Sequence, residues 1–456
     1  MKKLILITTV IALLLTGCQG TKSATPVSDD IVTLRIANCE EYIDEGGWDA
    51  DETIKLSDGQ RIRGVDSLIS DYEKWYREKY GKRVKVLYST YGTNEDLYNQ
   101  MTLGNTFDLV CPSEYMIMKL MREKRLEPLS RNFYKRNELY NYYAKGISPY
   151  LYKRMHSLTE GGRPLTDYAA GYMWGTLGTV YDPKKVDKAD ASSFEIYLDP
   201  KYKKRITIKD SVRDTYFAGL AIDKEKELAM PSPDYSRLLN DTSARTVSMV
   251  EDIITDMREN AYSMETDTAK QDLVTRKVDA SLQWSGDGVY SIDQAWEAGR
   301  RLCYAVPEEG SNLWFDGWVM LKDGISGSSD RKQAAEAFLN FISRPDSVVR
   351  NMYYIGYTSV ITGGRDATIL DYIKYMYGSD KKNAVEYDIS YLFDDKKGSH
   401  IIRTDKDQLD RQLYAAYPTE DVLARCAVMK CFSDPANRRI SRMWTNVRCY
   451  RFPWES

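Results

Sequence analysis

The stretch "DSLISDYEKWYREKYGKRVKVLYS" (66–89) decides the fold class. In its first part, apolar and aromatic residues recur at helical spacing, with Asp66 or Ser67 as N-cap and Gly81 as stop, which predicts an amphipathic helix. Its second part, 84–89, alternates apolar and polar residues and so predicts a β-strand. The chain then repeats this order with a helix, a strand and a helix over 93–101, 107–111 and 114–126. Such alternation predicts an α/β fold with a largely parallel sheet.

The size and charge of the chain narrow the function classes. Its 456 residues suffice for two or three domains with sizeable cores. The formal net charge of −3 gives no reason to expect nucleic acid as a partner. The 35 tyrosines suit surfaces that grip ligands, because Tyr is rigid and amphipathic, although ordinary half-buried packing uses such residues as well.

The first residues of the chain indicate export. Two lysines and the apolar run "LILITTVIALLL" (4–15), which is too short to anchor in a bilayer, predict a signal peptide over 1–17. "LLTGC" (14–18) resembles the bacterial lipobox, so we expect lipidation of Cys18; an ordinary secretory signal with a chance cysteine is the alternative. Small polar residues make 18–31 a flexible tether. The sequence therefore predicts a protein that is lipid-anchored to a membrane on its periplasmic or extracellular face.

Several predicted strands end in acids and aromatics. Carboxylates offer charge-assisted hydrogen bonds to a cation, and Trp or Tyr faces offer cation–π attraction. Ligands of open α/β sheets lie beyond the carboxyl ends of the strands. Taken singly, each such motif fits a solvated turn or a core aromatic; together they favour a cation site. The motifs are "NCEEY" (38–42), "CPSEY" (111–115), "KDSVRD" (209–214), "QWSGD" (283–287) and "WFDGW" (314–318).

The usual signals of catalysis are missing from the sequence. Only two histidines occur, His156 and His400, which gives little support to a His-rich metal site or a His-dependent triad. The GxSxG, phosphate-loop and GxGxxG motifs are absent, and no spacing singles out a pair of acids for glycoside hydrolysis. The six cysteines after Cys18 follow no zinc pattern, and their disulfide pairing stays open. We therefore predict no catalytic residues, no cofactor and no metal.

Taken in order, the motifs resemble the spermidine/putrescine-binding proteins of bacterial polyamine ABC transporters, from about residue 33 to the C-terminus. Their shared order and spacing carry the resemblance. Besides "NCEEY", the matching segments are "VLYSTYGTNEDLYNQM" (86–101), "FDLVCPSEYMIMKLMREKRLEPL" (107–129), "YMWGTLGTVYDP" (172–183), "LQWSGDG" (282–288), "LWFDGWVML" (313–321) and "AFLNFISRPDSVVRNMYYIGYTS" (337–359).

The resemblance implies a two-lobed periplasmic-binding-protein fold of type II, with a mostly parallel, helix-flanked sheet in each lobe. Lobe 1 would comprise 32–175 and 315–366, and lobe 2 would comprise 176–314 and 367–456. The ligand would lie in the cleft between the lobes, and closure about the hinge would signal the loaded state to the membrane permease of an ABC importer. Such a protein is expected to be a monomer that transports its ligand without transforming it, so it would not be an enzyme.

The resemblance also implies a set of ligand-binding residues. The acids of the set would neutralise ammonium groups, and its aromatics would enclose the ligand's methylene chain and cations. Carried over motif by motif, the set is Glu41, Tyr42, Ser113, Tyr115, Ser211, Asp214, Trp284, Trp314, Asp316 and Tyr357. Two positions depart from the family pattern: Cys39 replaces an aromatic wall, and Ser211 replaces an acid, with Asp210 beside it as a candidate substitute. The lost acid favours a ligand with fewer amines or a different cation.

Other functions remain open from the sequence. The same fold could bind a different amine or a small cation, and a surface lipoprotein that binds or degrades glycans would also use aromatic platforms and acids. The glycan alternatives predict a mostly neutral groove, whereas a cation receptor predicts acids that converge on one cleft. The polar segment 46–64 reads as an inserted loop or hairpin after the first motif.

Overall fold

The structure is a computed structural model that describes residues 31–266 and 268–449. The predicted signal peptide and the predicted lipidation site Cys18 lie outside the described residues. Within those two ranges, every helix is too short or too polar to span a lipid bilayer.

Short strands alternate with helices along the whole described chain. The strands are β1 (Val32–Cys39), β2 (Ile54–Lys55), β3 (Arg61–Ile62), β4 (Val84–Tyr91), β5 (Leu109–Val110), β6 (Leu126–Glu127), β7 (Thr159–Glu160), β8 (Arg163–Pro164), β9 (Ala169–Tyr181), β10 (Ile206–Lys209), β11 (Ser263–Glu265), β12 (Ala280–Trp284), β13 (Cys303–Ala305), β14 (Leu313–Leu321), β15 (Thr358–Ser359), β16 (Val385–Asp388) and β17 (Ile401–Thr404).

The helices vary more in length than the strands. The α-helices are α1 (Leu68–Tyr80), α2 (Asn94–Thr102), α3 (Glu114–Arg122), α4 (Tyr142–Gly146), α5 (Pro149–His156), α6 (Lys188–Ala191), α7 (Val212–Asp223), α8 (Glu225–Leu228), α9 (Tyr235–Leu238), α10 (Ala244–Asn260), α11 (Thr268–Val274), α12 (Ser285–Glu297), α13 (Lys322–Ile325), α14 (Ser329–Ile342), α15 (Pro345–Ile355), α16 (Thr368–Tyr377), α17 (Gln412–Ala416), α18 (Glu420–Ala424) and α19 (Asp434–Cys449). Short 3-10 turns lie at Leu165–Asp167, Phe194–Tyr197, Pro200–Tyr202, Ser390–Phe393 and Lys406–Asp410.

Helix α1 forms as its sequence predicts. The side chain of Ser67 accepts a hydrogen bond from the backbone N–H of Ser70 and so caps the first turn. Gly81 ends the helix in a left-handed conformation with φ of 65°, which costs a residue without Cβ little. The face that carries Tyr72 and Trp75 is buried. The N-cap is therefore Ser67, and the predicted helix is confirmed.

One long strand joins the two lobes of the sheet. The strand order is β11-β10-β12-β9-β14-β5-β1-β4, with β13 and β15 also paired to β9. Pairing is parallel between β1 and its neighbours β4 and β5, and between β10 and its neighbours β11 and β12. Strand β9 runs antiparallel to β14 through Ala169–Thr176 and antiparallel to β12 through Leu177–Tyr181. The chain thus passes from one sheet to the other inside β9, and the predicted two-lobed α/β fold is confirmed.

Each part of the sheet has its own hydrophobic core. The larger cluster surrounds β1, β5 and β14 and includes Leu34, Leu109 and Phe338. The second cluster surrounds β10 and β12, where Val250 and Ile254 of α10 pack on α7. Burial of these side chains supplies the main driving force for folding of both lobes.

Segment 46–64 contains the predicted hairpin, formed by β2 and β3. It is tied to the first lobe by the buried carboxylate of Asp44, which accepts hydrogen bonds from Trp48 Nε1 (3.0 Å) and Arg350 Nε (2.7 Å). The ring of Trp48 also packs against that of Tyr353 in α15, with centroids 4.8 Å apart. The insertion is therefore part of the folded lobe.

Candidate functional site

A carboxylate without a cation lies where β14 is irregular. The pairing of β14 with β9 shifts register between Phe315 and Gly317, and bulges of this kind redirect a side chain. The carboxylate of Asp316 accepts hydrogen bonds from Tyr42 Oη (2.6 Å) and Ser113 Oγ (2.7 Å). Burial raises the pKa of Asp316, although both hydroxyl donors oppose that rise. Among the lysines and arginines that the structure describes, none forms an ion pair with it.

A second acid lies directly behind Asp316 and is neutral near pH 7. The carboxyl group of Glu114 is buried and accepts a hydrogen bond from the backbone N–H of Phe315 (3.0 Å). Burial raises the pKa of Glu114 from 4.5 to about 8. Burial therefore disfavours the charged form of Glu114.

Aromatic rings surround Asp316. The ring of Tyr42 makes edge contacts with those of Tyr172 and Tyr357, both with centroids 5.5 Å apart. Tyr357 in turn packs against Trp314 at 5.7 Å. The buried indole N–H of Trp314 has no hydrogen-bond partner among the described residues. These rings form an apolar wall with negative faces beside a carboxylate, which is the environment that an organic cation prefers.

The other lobe supplies a tryptophan and an acid. Trp284 ends β12, and its indole N–H donates to Asp214 Oδ1 (3.2 Å). Asp214 lies in the first turn of α7, where Ser211 Oγ accepts a hydrogen bond from its backbone N–H (3.4 Å). The hydroxyl of Ser211 is therefore engaged as the N-cap of α7.

The model of one protein family, described as bacterial extracellular solute-binding protein, matches residues 68–370, which is more than half of the chain. The chain belongs to this family.

The relatives of this solute-binding protein include polyamine-binding proteins. It is 24% identical over 276 residues to the spermidine/putrescine-binding periplasmic protein of Salmonella typhimurium, over 60% of this chain and 70% of that protein. It is 23% identical over 383 residues to the putrescine-binding periplasmic protein SpuD of Pseudomonas aeruginosa, over 81% of this chain and 87% of that protein. The resemblance to spermidine/putrescine-binding proteins is confirmed.

Solved structures share the fold. A putative spermidine/putrescine ABC transporter protein from Listeria monocytogenes matches with a TM-score of 0.62 at 22% identity, over 92% of this chain and 99% of that chain. The spermidine/putrescine ABC transporter substrate-binding protein PotD from Streptococcus pneumoniae matches with a TM-score of 0.59 at 22% identity, over 91% of this chain and 98% of that chain. At this identity the likeness shows the fold of the solute-binding protein.

The structure links most of the predicted site residues into one series of contacts that crosses between the lobes. The crossing contact is the hydrogen bond from Tyr357 Oη to Asp287 Oδ1 (2.9 Å) in α12. The predicted residues in this series are Ser113, Asp316, Tyr42, Tyr357, Trp314, Trp284, Asp214 and Ser211. Several of them, including Tyr42, Trp284 and Asp316, are only half-buried, so they keep access to solvent.

Two predicted residues lie at the margin of this series. The hydroxyl of Tyr115 donates to Glu95 Oε1 (3.1 Å), and the guanidinium of Arg213 covers its ring at 3.9 Å. Glu41 is exposed, with a left-handed φ of 53°, and its side chain takes no part in the series. Asp210 is the candidate substitute for the missing acid. Its Oδ1 lies 3.4 Å from Nη1 of Arg448 in α19, so its carboxylate forms an ion pair within the protein.

Sequence reasoning missed the charged pair at the centre of the second lobe. Lys209 Nζ lies 3.1 Å from Asp287 Oδ2 and 3.6 Å from the centroid of the Trp284 ring. Burial by itself would raise the pKa of Asp287, but Lys209 and Lys270 hold it below its usual value. Both partners stand in quoted motifs, "KDSVRD" and "QWSGD". The signal available in the sequence was a lysine at the end of a predicted strand, in a motif that was predicted to bind a cation; its closeness to Trp284 was not available, because the two are 75 residues apart in the chain.

Potential metal ligands are not clustered in the residues that the structure describes. Within 31–266 and 268–449, His, Cys, Asp and Glu side chains form no group of three that could hold a metal ion. The cysteines described there are all free thiols.

Proposed function

We propose that this solute-binding protein captures a polyamine or a related cationic small molecule between its lobes and delivers it to an ABC importer. The observation that carries the proposal is Asp316, a half-buried carboxylate that accepts side-chain hydrogen bonds from two hydroxyl groups and forms no ion pair with a described lysine or arginine. Partial withdrawal of a carboxylate from water is unfavourable unless its charge is matched. A bound ammonium group would supply the missing charge.

The surroundings of Asp316 support an organic cation over a metal ion. Tyr42, Tyr357 and Trp314 present ring faces and edges, which attract ammonium groups and pack against methylene chains. Hydroxyl donors from Tyr42 and Ser113 hold the carboxylate in place, so its geometry is set before a ligand arrives. The relatives in Salmonella typhimurium and Pseudomonas aeruginosa, a spermidine/putrescine-binding and a putrescine-binding protein, support the same ligand class.

The place of action belongs to the proposal as well. A signal peptide over 1–17 with lipidation of Cys18 would tether the protein to a membrane outside the cytoplasm, through the 18–31 segment. There it would act as a monomer that delivers its ligand unchanged to the permease subunits. The acids that each lobe contributes to the site, Asp316 and Asp214, favour this function over glycan binding, for which a mostly neutral groove is expected.

Calorimetric titration of the lipid-free protein with putrescine, spermidine and a series of monoamines tests the proposal. We expect saturable heat with at least one amine, together with thermal stabilisation of the protein. Asp316→Asn is expected to weaken that binding about 100-fold or more, because a buried ammonium would lose its counter-charge.

Asp323→Asn is the matched control, since Asp323 is exposed in α13 and its substitution changes the charge by the same amount. Binding by this variant should equal that of the wild type. Absence of both heat and stabilisation with every amine would refute the proposed function.

A further inference from the structure

The second lobe contains a buried lysine, Lys209, next to the site residue Trp284. Lys209 is the last residue of β10, and none of its side chain is exposed. Burial of a lysine is strongly unfavourable unless the charge is paired. Here the pairing is with Asp287 Oδ2 at 3.1 Å, and Tyr357 Oη binds the other carboxylate oxygen at 2.9 Å.

This ammonium group makes a cation–π contact with one face of Trp284. Its Nζ lies 3.6 Å from the ring centroid, well inside the range of a cation–π contact. The edge of the same ring is also engaged, because the indole N–H donates to Asp214. The face of Trp284 that Lys209 covers is therefore closed to a ligand cation, and the positive charge of Lys209 weakens the attraction of the ring for a second cation.

Charges at the two ends of the site differ. In the second lobe, Lys209 Nζ and Lys270 Nζ lie 3.1 and 3.6 Å from the carboxylate of Asp287, whereas the side chain of Asp214 accepts a hydrogen bond from Trp284 Nε1. Counted together, these two acids and two lysines cancel. In the first lobe, the carboxylate of Asp316 has no counter-charge among the described residues. Counted over these three acids and two lysines, the site therefore has a net charge of −1.

A further cation, Arg213, makes the second-lobe end of the site more positive. The guanidinium of Arg213 lies against the rings of Tyr115 and Phe432, at 3.9 and 4.3 Å, and donates to the carbonyl of Lys430. Its charge adds to the positive potential of the second lobe. A ligand ammonium placed at that end would meet like charge.

We infer that the ligand is an amine with a single positive charge, whose ammonium group binds Asp316 and whose uncharged end lies beside Trp284 and Lys209. Lys209 is then a specificity-determining residue that excludes diamines of the same length. This inference rests on the proposed function, because it requires that an amine binds at Asp316.

The test compares two probes of equal length, 4-aminobutan-1-ol with one charge and 1,4-diaminobutane with two. Calorimetry on the wild-type protein is expected to give about tenfold or tighter binding of the amino alcohol, since like charges a few ångströms apart at a protein surface repel by about 1–4 kcal/mol. This comparison requires no variant.

Lys209→Met keeps much of the buried stem but removes the charge from Trp284 and Asp287. In this variant the preference is expected to shift about tenfold or more toward 1,4-diaminobutane. Lys270→Met is the matched control, because it removes a charge next to Asp287 but leaves Lys209 on the Trp284 ring. The control should change the preference less than about threefold, since the Lys270 side chain is 24% exposed and screened by water.

The outcomes separate this inference from the proposed function. Tighter wild-type binding of 1,4-diaminobutane, lost in Asp316→Asn, would overturn the inference and leave the proposed function standing. Preference for 4-aminobutanoate over both probes would also overturn it, because the second lobe would then bind an anion. An equal shift of the probe preference in Lys209→Met and Lys270→Met would show that the preference depends on the total charge of the site. That result would overturn the specific role of Lys209. No binding of any amine would refute the proposed function itself.

Discussion

The buried carboxyl group behind the site should make the stability of the protein depend on pH. In the unfolded chain Glu114 ionises near its usual pKa of 4.5, whereas burial in the folded protein raises that pKa to about 8. Folding therefore takes up a proton between these two values. The contribution of Glu114 to the free energy of unfolding is therefore greatest below pH 4.5, decreases as the pH rises, and is lost completely above about pH 8.

The magnitude follows from the size of the shift. Each unit of pKa difference corresponds to about 1.4 kcal/mol, so the free energy of unfolding is lowered by about 2 kcal/mol at pH 6 and about 5 kcal/mol at pH 9. Glu114→Gln stays neutral at every pH, and its side-chain oxygen can still accept the Phe315 N–H. Relative to the wild type, the variant should thus gain about 3 kcal/mol between pH 6 and pH 9.

Urea unfolding followed by tryptophan fluorescence at the two pH values measures this gain. Glu78→Gln, at an exposed position of α1, is the matched control and should show no comparable gain. A difference between Glu114→Gln and the wild type that is equal at both pH values, within about 0.5 kcal/mol, would refute the argument that burial keeps this carboxyl protonated.

Three further predictions concern the lobes and the cleft. Asp44→Ala should lower the free energy of unfolding by about 3–5 kcal/mol in urea titrations, because the buried guanidinium of Arg350 loses a partner; a loss under about 1 kcal/mol would contradict this. Gly286→Ala would place a Cβ 2.4 Å from the ring of Tyr357, so we expect a loss of about 1–3 kcal/mol and weaker amine binding by calorimetry, and wild-type behaviour on both counts would count against the packing described. Amine binding should weaken as the pH falls through the pKa of Asp316, which burial raises above 3.8, since only the ionised carboxylate attracts an ammonium group; an affinity that is constant from pH 7 to pH 4 would disprove it.

Local sequence signals predicted which segments form helices and strands better than they predicted the residues at which these end. Helix α1 and its stop at Gly81 follow from capping chemistry that involves only neighbouring residues. The predicted helix over 114–126 was wrong at its end, because α3 stops at Arg122 and Lys124 adopts a left-handed φ of 58°. Residues Leu126–Glu127 instead pair with β14. A partner that lies almost 200 residues away in the chain cannot be inferred from the helical pattern.

The acids and aromatics of the site could be proposed from sequence, but their partners could not. Tyr42 and Ser113 come from different motifs, and the structure brings both hydroxyls to Asp316. Ser211, by contrast, uses its hydroxyl to cap α7, a function that local sequence also permits. Which of these roles a polar residue takes depends on what folding places next to it.

The sequence by itself determined the α/β alternation, the family resemblance and the acidic, aromatic character of the strand ends. Only the tertiary structure decided how the charges pair. Lys209 and Asp287 are 78 residues apart in the chain but 3.1 Å apart in the fold, and both are buried. The physical reason is that electrostatic energy depends on distance and on exclusion of water, and chain spacing specifies neither. Counting the acids in the sequence therefore overestimated the number of ligand cations that the site can bind. In the folded protein, the ammonium group of Lys209 already lies on the ring of Trp284.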